Sequence, residues 1–119
     1  MKSLGTVCLG GNPVTLMELT KEESKKNNQD LYDDEDQEYS SGLAVPTRNI
    51  AYVVRDTESL AAWQNTVIHE LVHIALYHSG SSIEWDDELA VRCISSTMQQ
   101  ILSSDKVLTQ LGLQRIKGK

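Results

Sequence analysis

From Ser59 to His78 the chain carries apolar side chains nearly all the way round a helical repeat: Leu60, Trp63, Val67, Ile68, Leu71, Val72, Ile74, Ala75 and Leu76. A helix with that distribution has no solvent face, so the rest of the fold must enclose it. Asp56-Thr57-Glu58-Ser59 supplies N-cap candidates and an acidic first turn, and Ser79-Gly80 ends the helix. The same stretch holds His69, Glu70 and His73. Ionisable groups in an apolar setting need partners, and that mismatch is the first sign of a site.

What surrounds the helix is one domain's worth of chain, residues 1–119. With no Phe, the core must come from Leu, Ile, Val, Met, two Trp and four Tyr. Thr6 to Leu9 and Val14 to Leu19 are β-prone runs around Gly10-Gly11-Asn12-Pro13, which predicts a hairpin. Residues 20–41 turn polar and acidic, a mobile loop with one helical turn near Lys21 to Lys26. Strand composition returns from Gly42 to Val54, interrupted at Pro46-Thr47. A strand is expected over Asn49 to Arg55, near a sheet edge because of the preceding proline.

Beyond Ser82, Asp86 to Leu102 reads as a second helix with Ala90, Val91, Ile94, Met98 and Ile101 in one stripe. A short helix follows over Lys106 to Ile116. The expected architecture is α+β: a small antiparallel or mixed sheet packed on the first helix, with the second helix across it.

The net charge of −6 argues against a nucleic-acid binder, which carries a basic stripe. Nine of the seventeen acidic residues lie between Glu18 and Glu38, the usual mark of a solvated segment. Cys8 and Cys93 fall in apolar patterns and are expected as buried thiols, without zinc-finger spacing. No stretch has the length of a signal peptide's apolar region or a membrane span, so a cytoplasmic protein without a membrane partner is expected.

His69-Glu70-Leu71-Val72-His73 is an HExxH motif, a signature of zinc metallopeptidases. Residues four apart on a helix lie one turn apart and about 40° round the axis, so both imidazoles reach one ion. Glu70 projects beside that ion, where a carboxylate can take the proton of a water that zinc has acidified. The plain alternative is two core histidines satisfied by hydrogen bonds, with Glu70 in a salt bridge. A catalytic zinc takes three protein ligands and keeps one position open. His78 lies on the opposite side of the helix and suits its C-terminal end. Glu84, Asp86, Asp87 and Glu88 crowd the start of the second helix, more acids than capping needs.

HExxH on one helix, then a glutamate early on the next, resembles the gluzincin group of zinc peptidases. The stretch GLAVPTRNIAYVVRDTESLAAWQNTVIHELVH resembles the ImmA/IrrE-like and related phage-encoded metallopeptidases. The resemblance covers roughly residues 42 to 105 and implies a minimal zincin-like domain. It also implies a glutamate ligand followed by a small or apolar residue at +3 and apolar and small residues at +6 and +7. Glu88 fits with Val91, Ile94 and Ser95, and Asp87 fits less well with Ala90, Cys93 and Ile94. Arg92 departs from the family, which often has Asn there. The helical wheel favours Asp87 for the stripe, whereas Glu88 has the longer reach and the flank where a cleft opens.

These readings lead to an expectation of zinc-dependent hydrolysis of a peptide or protein substrate. His69, His73 and Glu88 would hold Zn2+ and Glu70 would be the base. An extended substrate could pair with the strand around Ile50 to Val54. Two rivals belong to other classes: a catalytically silent, zinc-stabilised binding module of the same fold, and an acidic decoy for a basic partner built on Asp30 to Glu38.

Overall fold

The computed structural model describes residues 1–24, 26, 42–55 and 59–110. Most of the acidic loop, including Asp30 to Glu38, lies outside them, as does the last part of the expected terminal helix. Residues 21–24 form the expected helical turn. Thr20 and Glu23 cap it reciprocally, the Thr20 hydroxyl accepting from Glu23 N and the Glu23 carboxylate from Thr20 N.

Strands β1 (Lys2–Leu9) and β2 (Asn12–Leu19) form an antiparallel hairpin in which Leu9 pairs with Asn12. The loop is therefore just Gly10-Gly11, and both have positive φ, 58° and 81°. A two-residue loop with both centres left-handed matches the twist of the flanking strands, and glycine adopts it without steric cost. Strand β3 (Gly42–Val45) leads through a 3-10 turn, Pro46–Arg48, into β4 (Ile50–Val54). The sheet order is β1-β2-β4-β3, with β4 parallel to β2 and antiparallel to β3.

That order corrects one expectation. The strand after Pro46 is interior and not at an edge, because the proline sits in the first turn of the 3-10 helix. There its missing N–H costs no ladder bond. Since β4 is paired on both sides, it cannot accept a substrate strand; β3 and β1 are the outer strands of the four described.

Two helices complete the architecture: α1 (Leu60–Ser79) and α2 (Glu88–Leu102), followed by a short α3 (Asp105–Gln110). Val14, Leu16, Ala51 and Val53 alternate along β2 and β4 toward α1, where they meet Ile74, Trp63, Val67 and Leu71. Leu19, Tyr52 and Val54 form a second cluster with residues of the opposite alternation, Met17, Leu43, Val45 and Ile50. On its other side α1 packs on α2 through Ile68, Val72 and Val91. Thus α1 is a middle layer between sheet and helix, the position its apolar distribution demands.

The enclosure is incomplete at the ends, where Leu60 and Tyr77 are exposed. The second half of the α2 stripe is also open, with Met98 and Ile101 exposed. Both cysteines are exposed, contrary to expectation: Cys8 lies on the outer strand of the hairpin and Cys93 on the outward side of α2. Among the described residues no helix is long and apolar enough to cross a membrane.

Candidate metal centre

Helix α1 is fixed at both ends before any site residue is considered. The Ser59 hydroxyl accepts from Ala62 N at 3.2 Å, and Gly80 closes the helix in the left-handed conformation. Its first turn contains no acid. The acids expected there, Asp56 and Glu58, precede the cap and lie outside the described residues. Near the other end, His78 Nε2 sits 2.6 Å from Asn49 Oδ1. Asn49 is itself left-handed (φ 54°) where the 3-10 turn hands over to β4. His78 thus ties α1 to the sheet, away from His69 and His73.

On the α2 side of α1, His69 and His73 stand one turn apart with Nε2 atoms 3.2 Å from each other. Glu88, the first residue of α2, reaches both: Oε2 lies 3.0 Å from His69 Nε2 and Oε1 lies 2.9 Å from His73 Nε2. One ligand atom from each of the three residues fits within a 4.8 Å span. The neighbouring Asp87 is engaged on its own helix end. Asp87 is the N-cap of α2, accepting from Ala90 N at 3.1 Å, and the Glu84 carbonyl accepts from Asp87 N at 3.1 Å. The structure therefore brings Glu88 to the histidines and leaves Asp87 on its own helix end.

Proton accounting shows what this cluster lacks. His73 Nδ1 is 2.6 Å from the Trp85 carbonyl, an acceptor only, so the imidazole proton of a neutral His73 sits on Nδ1. Its Nε2 then presents a lone pair to a Glu88 carboxylate oxygen, another lone pair. With both imidazoles neutral, His69 Nε2 is the one possible donor among the four facing atoms, and the contact between His73 Nε2 and Glu88 Oε1 is left without a proton. A second proton on His73 or a bound cation would satisfy it. Tetrahedral zinc with N and O ligands at about 2.0–2.1 Å has ligand–ligand edges of roughly 3.3 Å, close to the spacings found here. The donor set, two imidazoles and a carboxylate, also suits that ion.

Electrostatics agree with the crowding. Burial lowers the pKa of His69 below its ordinary value; Glu88 opposes that shift, while the charges of His73 and Arg92 add to it. Glu70 packs against Gly42 of β3, is only 8% exposed, and lies near enough to Glu88 to feel its charge. Burial, helped by the negative charge of Glu88, pushes its carboxyl up to about 8.

Two participants carry no motif. Gly42 lies on the α1 side of β3, and a β-carbon there would meet Glu70 Oε2 at 2.5 Å and its Cγ at 2.8 Å. Only glycine leaves room for that carboxylate, and the single available signal was a glycine opening a strand. Trp85 contributes its backbone carbonyl. Its ring stands edge-on to His73 and Tyr77, with centroids 6.1 and 6.0 Å away, fixing the loop between the helices. Comparison of the chain with protein-family profiles, with curated proteins and with solved structures gave no match.

Proposed function

We propose that this chain is a zinc-dependent peptidase of the gluzincin kind, a minimal zincin-like domain in which His69, His73 and Glu88 hold the ion and Glu70 handles the proton. The observation that carries the reading is the convergence of His69, His73 and Glu88 with more lone pairs than protons. When bound, zinc would supply a Lewis acid that polarises a scissile carbonyl and acidifies a water.

The remaining chemistry belongs to the chain's own residues. The Trp85 carbonyl holds the His73 proton on Nδ1 and keeps Nε2 available. Glu88 occupies both imidazoles from α2 and so fixes the distance between the two helices at the site. Glu70 is buried against Gly42, shielded from bulk water, with its carboxyl raised to about 8. The charge of a bound cation would favour the ionised form of this carboxyl, and only in that form can it take a proton from the attacking water and return it to the leaving amine.

The test has two readouts. Purified protein should take up about one zinc per chain, as three protein ligands require, and cleave an unstructured peptide mixture. Glu70→Gln should keep the metal and lose the cleavage, because an amide of the same shape accepts no proton at neutral pH. A folded protein that refuses zinc overturns the proposal. Zinc uptake with no cleavage by the wild-type protein would leave the zinc-stabilised binding module in its place.

A further inference from the structure

We propose that Arg92 docks a carboxylate of the substrate beside the metal centre, a role that rests on the peptidase reading above. The placement follows from the α1–α2 seam. Glu88 touches His69 and His73, Ser95 is fully buried, and Gln99 donates from Nε2 to the Ala61 carbonyl at 2.6 Å. Those three residues lie at helical spacings of seven and four, on the α2 face turned to α1. Arg92 is four residues after Glu88 and seven before Gln99, so it falls in the same row, one turn from Glu88 along the side of His69. It is exposed, with its charge close enough to act on His69.

Its natural partner has been diverted. A glutamate and an arginine four apart on a helix ordinarily pair. Here both Glu88 oxygens are engaged by imidazoles, and no described carboxylate lies within 4.0 Å of the Arg92 guanidinium. Arg55 shows the contrast: Nε is 3.9 Å from Glu18 Oε1, and the guanidinium stacks 4.6 Å over the Trp63 ring. In a chain of net charge −6, with Glu84, Asp86 and Asp87 gathered at the α2 start, a cation without an acid partner among the described residues, set next to a cation site, works against metal affinity. An incoming carboxylate removes that conflict, and the planar fork of guanidinium binds one through two parallel hydrogen bonds. The carboxylate has two possible sources, an Asp or Glu side chain near the scissile bond or the C-terminus of the peptide.

Two matched pairs of peptide hydroxamates test this by calorimetric titration of the zinc-loaded protein. One pair differs by a Glu or Gln beside the hydroxamate, the other by a free or amidated C-terminus. Wild-type protein should bind the acidic member of one pair about fivefold tighter than its neutral twin, the size expected for an exposed ion pair. The pair that shows the preference identifies the source. Arg92→Gln should bind both members equally with its zinc content intact, and Arg92→Lys should keep part of the preference. Equal binding of every pair by wild-type protein, or a preference that survives in Arg92→Gln, overturns the assignment while leaving the zinc site standing. If no hydroxamate binds at all, the peptidase reading fails and takes this inference with it.

Discussion

The seam between α1 and α2 has two polar ends built on the same pair of helices, and they are satisfied differently. At one end Asn65 Nδ2 donates to Gln99 Oε1 at 2.8 Å and Gln99 Nε2 donates to the Ala61 carbonyl at 2.6 Å. Each of those donors meets an acceptor, and nothing further is required. At the other end His69, His73 and Glu88 converge at similar distances with too few protons between them. Proximity alone would make the two ends look alike. The balance of donors and acceptors distinguishes the two ends, because a crowded acceptor without a donor is costly.

The sharpest way to break the comparison is to truncate one residue at each end. Glu88→Ala should weaken zinc binding by orders of magnitude, since the ion loses one of three protein ligands. Gln99→Ala should leave zinc affinity unchanged and lower stability by about 1 kcal/mol, the net worth of an ordinary hydrogen bond. Competition with a chelator measures the first, and denaturant unfolding of the metal-free protein the second. Equal zinc affinity in both variants would mean that the two ends are the same kind of contact.

A second difference lies between two neighbours on α1, His69 and Glu70. Burial holds Glu70 protonated in the folded metal-free protein to about pH 8, against 4.5 for the free group. Between those values the native state carries one more proton than the unfolded state. The Glu70 contribution to stability is therefore full below 4.5 and is lost as pH rises through about 8. His69 acts in the opposite sense, because its lowered pKa makes stability rise with pH up to its unfolded value near 6.5. Above 6.5 only the Glu70 effect is left of the two, a slope of roughly −1.4 kcal/mol per pH unit up to about pH 8. Glu70→Gln should flatten that slope. Urea unfolding of both proteins between pH 6.5 and 8 is the measurement, and parallel curves would show that Glu70 is ionised in the fold.

The packing behind Glu70 gives a smaller effect of the same kind. Gly42→Ala puts a methyl within 3 Å of the carboxylate, so either the side chain or β3 must shift. Overpacking of this sort costs about 1–3 kcal/mol. The loss should shrink in the Glu70→Ala background, where the space is vacated. A double-mutant cycle that proves additive would mean that Gly42 is not shaped by Glu70.

How much of this was legible depended on whether the signal was local. Helix α1, its Ser59 cap and the hairpin at Gly10-Gly11 come from periodicity and turn chemistry within a few residues. So does the pairing of His69 with His73. The interior position of β4 was not legible, because Pro46 looks like an edge marker until it is seen to sit in a 3-10 turn ahead of the strand. Cys8 and Cys93 have apolar neighbours in sequence, yet a two-sided element exposes every second or third residue whatever its neighbours are. Gly42 and Trp85 escape for a stronger reason. One acts through a missing atom and the other through a backbone carbonyl, and neither leaves a side-chain signature.

The smallest predicted effect separates the adjacent acids Asp87 and Glu88, which sequence alone leaves in competition. Asp87 caps α2 by accepting from Ala90 N, and its carboxylate also sits at the positive end of the helix. Asp87→Ala removes the cap and should cost about 1 kcal/mol. Asp87→Asn, which keeps an accepting oxygen, should cost less. Neither change touches the His69, His73 and Glu88 atoms, so zinc affinity should move by no more than the slight drift expected when one nearby negative charge is lost. Because α2 begins at Glu88, fraying of its first turn is the one route by which Asp87 could reach the metal. That route makes a distinct forecast: Asp87→Asn, with the cap kept, should bind zinc better than Asp87→Ala. A chelator competition in which both Asp87 variants lose affinity severely while Glu88→Ala does not would transfer the ligand from Glu88 to Asp87.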